Sequence, residues 1–90
     1  MKTRSAFVVL AACTLSTVAL AGPQCTEAPK SQWLPEEAMK QKISAAGYTV
    51  DKFKVTSGNC YEIYGKDKDG KKVEIYYNPV DGSVAREKRG

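Results

Sequence analysis

Ninety residues with no histidine, three cysteines and 14 Lys and Arg against 10 Asp and Glu leave room for one small domain. The missing histidine removes the commonest proton shuttle and metal ligand. A formal charge of +4, spread along the chain, excludes the concentrated basic stripe of a nucleic-acid binder.

The N-terminus reads as an export signal. Met1-Lys2-Thr3-Arg4 is a short positive segment, Ala6 to Leu20 is apolar, and Ala19-Leu20-Ala21 offers the small-x-small pattern a signal peptidase accepts. We expect a signal peptide over 1–21, a single domain over 22–90, and no stable membrane insertion after cleavage. Leu10-Ala11-Ala12-Cys13 supports a competing reading, a lipoprotein anchored through Cys13. Against it, the apolar stretch before Cys13 is short and the chain stays uncharged well beyond it. Without Lys2 and Arg4, 12 basic residues face 10 acidic ones, a net of +2.

Cleavage also removes Cys13 and leaves Cys25 and Cys60, an even pair in an oxidising compartment, so a disulfide between them is expected. The loop-entropy relation gives such a bridge about 3–4 kcal/mol. The other reading is two free thiols or metal ligands, although two cysteines without histidine do not complete a tetrahedral zinc site. From Gly22 to Gln32 two prolines and no periodicity predict an extended arm. Trp33 to Gly47 then reads as one amphipathic helix. Pro35 is expected at its first position, Glu36 and Glu37 at the positive end of the dipole, and Gly47 just past its end. Met39, Ile43 and Ala46, spaced i, i+4, i+7, form its buried stripe, which Trp33 and Leu34 continue.

Tyr48 to Thr56 follows as a strand. Its apolar parity shifts between Val50 and Phe53, which predicts a bulge there or a strand start near Asp51. Ser57-Gly58-Asn59 turns into a second strand, with Tyr61 and Ile63 on one face and Cys60, Glu62 and Tyr64 on the other. Asp67-Lys68-Asp69-Gly70 closes a tight hairpin. Its resemblance to the opening of a calcium loop fails on the missing ligands and the glycine position. Lys66, Lys68, Lys71 and Lys72 then decorate a solvated hairpin tip. In the third strand Val73, Ile75 and Tyr77 oppose Lys72, Glu74 and Tyr76. Pro79 and Asp81-Gly82 make a turn into a short edge strand from Ser83 to Glu87. The expected fold is α+β: one N-terminal helix packed on an antiparallel β-meander of about four short strands, with one disulfide. The helix covers Ile63, Val73, Ile75 and Tyr77.

Glu62, Tyr64, Lys72, Glu74 and Tyr76, on the face opposite the helix, are the candidate partner-binding residues. Tyrosines among charges suit a surface that holds a protein or peptide. The competing reading has the cystine and the arm lying across this face and burying Tyr64. Glu62 and Glu74 could pair as carboxylates; the plainer expectation is outward-facing side chains neutralised by Lys72 or a neighbouring lysine. The Ser83 to Glu87 edge could accept an added strand. No catalytic residue, cofactor or metal ligand is expected.

The helix, Gly47-Tyr48, Cys60-Tyr61-Glu62-Ile63-Tyr64, Asp69-Gly70-Lys71, the Val73 to Tyr77 strand and Asn78-Pro79-Asp81-Gly82 together resemble the PepSY family. The Cys25 and Cys60 pairing resembles a subset of its short periplasmic members. The resemblance implies a periplasmic or secreted, non-enzymatic module that binds a protein or peptide partner. Related modules occur in propeptides of thermolysin-like metalloproteases, where they are linked to restraining the protease. Others occur in membrane-bound sensors and iron-uptake proteins, so the alternative is an accessory or sensor for envelope redox or metal and haem uptake. The oligomeric state and the partner's identity stay open at this stage.

Overall fold

The computed structural model describes residues 22–90. The expected signal peptide over 1–21 and the alternative lipid site at Cys13 lie outside the described residues. A single 3₁₀ turn at Lys30–Gln32 leads into helix α1 (Glu36–Ala45), followed by strands β1 (Thr49–Val55), β2 (Tyr61–Lys66), β3 (Lys72–Tyr77) and β4 (Val84–Arg89). The strands form one antiparallel sheet in the order β1-β2-β3-β4, so every strand pairs with its neighbour in sequence.

The helix is shorter than its sequence suggests. Leu34 precedes a proline, whose ring disfavours the α region for the residue before it. Pro35 itself holds ψ at 149° and stands at the N-cap instead of the first helical position. The chain is tied here from outside, because the Leu34 N–H donates to the Pro79 carbonyl at 2.7 Å. At the far end Gly47, at φ +98°, closes the helix as expected. Its N–H donates to the Ser44 carbonyl and that of Tyr48 to the Ile43 carbonyl, the paired bonds of a Schellman motif. Because α1 stops at Ala45, Ala46 becomes the C-cap and turns to solvent. The buried stripe is therefore Met39 and Ile43 alone.

These two side chains pack with Tyr61, Ile63, Val73, Ile75 and Tyr77 into the core, and Trp33, Leu34, Tyr48, Val50 and Phe53 close its margins. Register explains the grouping. Ile63 faces Ile75 and Tyr61 faces Tyr77 across the β2–β3 pair, so the alternating apolar residues of both strands share one face. Tyr61 meets Trp33 edge-on at 5.6 Å between ring centroids and Phe53 at 5.0 Å. Its hydroxyl donates to the Leu34 carbonyl at 2.6 Å. The parity shift in β1 is a bulge: pairing with β2 slips between Val50 and Lys52, leaving Asp51 as the extra residue.

Turn chemistry differs in detail from expectation. Only Gly70 of the Asp69-Gly70 pair has positive φ, at +82°. The Gly70 N–H donates to the Asp67 carbonyl and the Asp67 N–H to the Lys71 carbonyl, giving a three-residue loop with a left-handed glycine. Asp67 Oδ1 accepts from the Asp69 and Lys71 amides, and Oδ2 accepts from Arg89 Nη1 at 2.6 Å. Those bonds, the Lys71 amide foremost, hold the Asp67 carboxyl below its usual range. They also leave it committed to the turn and to β4. The edge strand starts one residue later than expected and runs on to Arg89.

The arm is extended as far as the 3₁₀ turn and lies on the sheet. Cys25 is bonded to Cys60, the Cys25 N–H donates to the Gly58 carbonyl, and the Asn59 and Asn78 side-chain amides donate to the carbonyls of Thr26 and Cys25. Gly58 permits this contact, because a Cβ there would collide with the Pro23 carbonyl oxygen.

Candidate functional site

The sheet face away from α1 carries Lys54 from β1, Glu62 and Tyr64 from β2, and Glu74 and Tyr76 from β3. Cross-strand register sets their places: Glu62 lies between Lys54 and Tyr76, and Tyr64 between Lys52 and Glu74. The arm divides this face. Gly22 lies against the Tyr76 ring and the cystine covers the Cys60 end, so Tyr76 is 6% exposed while Tyr64 remains 39% exposed. The competing reading, in which the arm buries Tyr64, is thus corrected: Tyr76 is the tyrosine it seals. Tyr64 lies further along β2, past the reach of the arm.

Glu62 corrects a second expectation. It is 2% exposed, not an outward-facing residue. Its neighbouring cation is Lys54, with Nζ 3.7 Å from Oε1, because Lys72 stands opposite Lys66 at the far end of the hairpin. Glu62 Oε2 is buried and has no hydrogen-bond partner. A buried acceptor left unpaired is costly, and here it is a carboxylate. Burial pushes the Glu62 carboxyl up from its usual range, helped by the neighbouring Glu74 carboxyl. The same contact with Glu62 holds Glu74 down, so the pair shares protons unequally. The Tyr76 hydroxyl donates to Glu74 Oε2 at 2.8 Å. Burial and that carboxylate raise the Tyr76 hydroxyl above its ordinary value. The neighbouring Glu62 carboxylate, with burial second, pushes Tyr64 up to about 12.

Lys54, Glu62, Tyr64 and Tyr76, with Val55, Thr56 and Ser57, line a cleft of about 230 Å³ floored by Glu62 and flanked by Tyr64 and Tyr76. Of the five sequence candidates the structure brings Glu62, Tyr64, Glu74 and Tyr76 together. Lys72 instead lines a neighbouring shallow cleft, shared with Tyr64, Glu74 and Lys88. Sequence reasoning missed Lys54 to Ser57. The available signal was parity: three residues beyond the bulge at Asp51, Lys54 falls opposite Glu62 and on its face. On the opposite side of the sheet an apolar groove of about 530 Å³ runs between α1 and β4, lined by Met39, Ile43, Tyr48, Tyr77 and Val84. Every residue of β4 beside it is exposed.

The Glu62 environment predicts a pH signature. Its folded-state affinity for a proton exceeds that of the unfolded chain. Stability is therefore lost as pH rises from the ordinary glutamate value, 4.5, through the raised value in the fold. Glu62→Gln mimics the protonated form. The melting temperature of this variant should match the parent at about pH 4 and exceed it at about pH 8. Equal differences at both ends, measured by thermal scans, would show that burial does not tune this carboxyl.

A helix on one face of a four-stranded antiparallel meander, and on the other a disulfide-tied arm beside a tyrosine-and-carboxylate cleft, define a small α+β module. The chain belongs to the PepSY family, described as peptidase propeptide and YPEB domain, whose profile matches residues 5–88. Members of this family are often linked to protease propeptides or regulation and are generally non-catalytic. No curated protein and no solved structure matches the chain. Among the described residues no group of three or more His, Cys, Asp or Glu side chains could hold a metal ion, and no helix is long and apolar enough to cross a membrane.

Proposed function

We propose that the protein is an exported PepSY module, cut after Ala21, that holds a protein or peptide partner on the open half of its outer sheet face and restrains a protease. Family membership supports the regulatory class. The Cys25–Cys60 bridge fits an oxidising compartment outside the cytoplasm. The observation that carries the partner reading is the division of one face. The arm closes the Tyr76 end, while Tyr64, 39% exposed, stays uncovered beside a cleft with an unpaired acceptor. Tyrosines in such positions often anchor partners, and truncating an anchor costs about 2 kcal/mol or more.

A photo-crosslinking residue at Val55, on the rim of the cleft, tests this in the exporting host. The expected result is a protein adduct from Val55, none from a control at the exposed residue Glu37, and loss of the adduct when Tyr64→Ser is added. Adducts of equal yield from both positions, indifferent to Tyr64, would remove the partner reading.

A further inference from the structure

Among the described residues Glu62 is the one buried charged side chain, and its Oε2 is the one buried side-chain polar atom without a partner. An ionised carboxylate oxygen only accepts hydrogen bonds, so what completes it is a donor. Its surroundings decide which kind. Lys54 Nζ stands 3.7 Å from Oε1, beyond hydrogen-bonding distance. The Tyr76 hydroxyl is committed to Glu74. The charges acting on the two acids are Lys54 from β1 on Glu62 and Lys88 from β4 on Glu74, while Tyr64 and Tyr76 supply hydroxyls. At the mouth the Tyr64 ring already receives one cation, with Lys54 Nζ 5.7 Å from its centroid, and its exposed part is free for another.

We infer that the cleft between Lys54, Glu62, Tyr64 and Tyr76 is a subsite for one basic side chain of the bound partner, a lysine ammonium or an arginine guanidinium donating to Glu62 Oε2. This rests on the partner reading above and names the chemistry that the partner brings. Size agrees. About 230 Å³ falls below the range of roughly 300–1,000 Å³ typical of small-molecule sites, yet it accommodates the end of a long side chain. Charge agrees as well, because two adjacent carboxylates share protons until a cation allows both to ionise. Entry of the cation therefore releases a proton, and affinity rises with pH.

The probes are butylammonium and butylguanidinium, with neutral butyramide as the control of similar shape, titrated into the isotope-labelled exported protein and followed by amide chemical shifts. The cations should produce saturable shifts confined to Lys54–Ser57, Glu62, Tyr64 and Tyr76. Affinity should be about tenfold weaker in Glu62→Gln, consistent with loss of a charge-assisted bond, and weaker at about pH 5 than at about pH 8. Lys54→Met, which removes the resident cation, should tighten the cations. Shifts that are linear and dispersed, equal with butyramide, or unchanged in Glu62→Gln overturn the subsite. If the Val55 adduct persists undiminished in Glu62→Gln, the subsite fails while the partner reading stands. If the adduct is absent from the parent protein, the partner reading itself has failed.

Discussion

Reduction of the Cys25–Cys60 bridge, or the double change Cys25→Ser with Cys60→Ser, lowers the melting temperature by about 15–25 °C. The bridge joins residues 35 apart in sequence, and the loop-entropy relation assigns it about 3–4 kcal/mol. In a domain of this size each kcal/mol moves the midpoint by about 4–8 °C. The effect is not purely one of the unfolded chain. Three hydrogen bonds cluster at the bridge, joining Cys25 and Thr26 of the arm to Gly58, Asn59 and Asn78. Without the covalent link the arm separates before the sheet does. That separation is observable, because Trp33, the single tryptophan, donates its indole N–H to the Ala28 carbonyl at 3.0 Å. Its fluorescence should change below the main transition in reduced protein and together with it in oxidised protein. Calorimetric scans with and without reductant that superimpose would mean the bridge contributes nothing.

Strand order, parity and turn positions were legible in the sequence because each rests on local chemistry. Asp69-Gly70 and Pro79 with Asp81-Gly82 place the hairpins, and alternation places Ile63, Val73, Ile75 and Tyr77 under the helix. Even the bulge at Asp51 was visible as a break in parity. What escaped depends on distant segments. Ala46 is at the right spacing for the helix stripe, but the Gly47 stop puts it on the cap and turns it out. Glu62 has the composition of an outward strand residue. Its burial comes from Tyr64, Tyr76 and Lys54, two of them on other strands, which no local pattern announces.

The covering of Tyr76 belongs to the same class. It requires knowing where an irregular arm lies, and only the cysteine pairing constrained that. Cys60 shares a face with Glu62 and Tyr64, so the bridge had to bring the arm to this side of the sheet. How far along it ran was set by the Gly58 contact and by the amides of Asn59 and Asn78. The structural consequence is that one element closes one half of a face and leaves the other half open. The bridge therefore stabilises the fold and also sets the limits of the cleft.

Ile75→Ala is the second change of large expected effect. Ile75 is fully buried, faces Ile63 across the β2–β3 pair, and belongs to the cluster under Met39 and Ile43. Truncation removes buried methyl groups and leaves a cavity whose walls belong to two hydrogen-bonded strands, which limits collapse, so about 3–4 kcal/mol is expected. Val84, 55% exposed on the edge strand, is the control: Val84→Ala should stay within about 0.5 kcal/mol. Urea unfolding monitored by circular dichroism compares them, and equal midpoints would mean the interior is not where stability resides. The two large effects act on different states, the cavity on the folded protein and the bridge mainly on the unfolded chain. They should then nearly add, leaving oxidised Ile75→Ala folded with a lowered midpoint and the reduced variant unfolded at 25 °C, since a domain of this length has stability of only about 0.05–0.15 kcal/mol per residue.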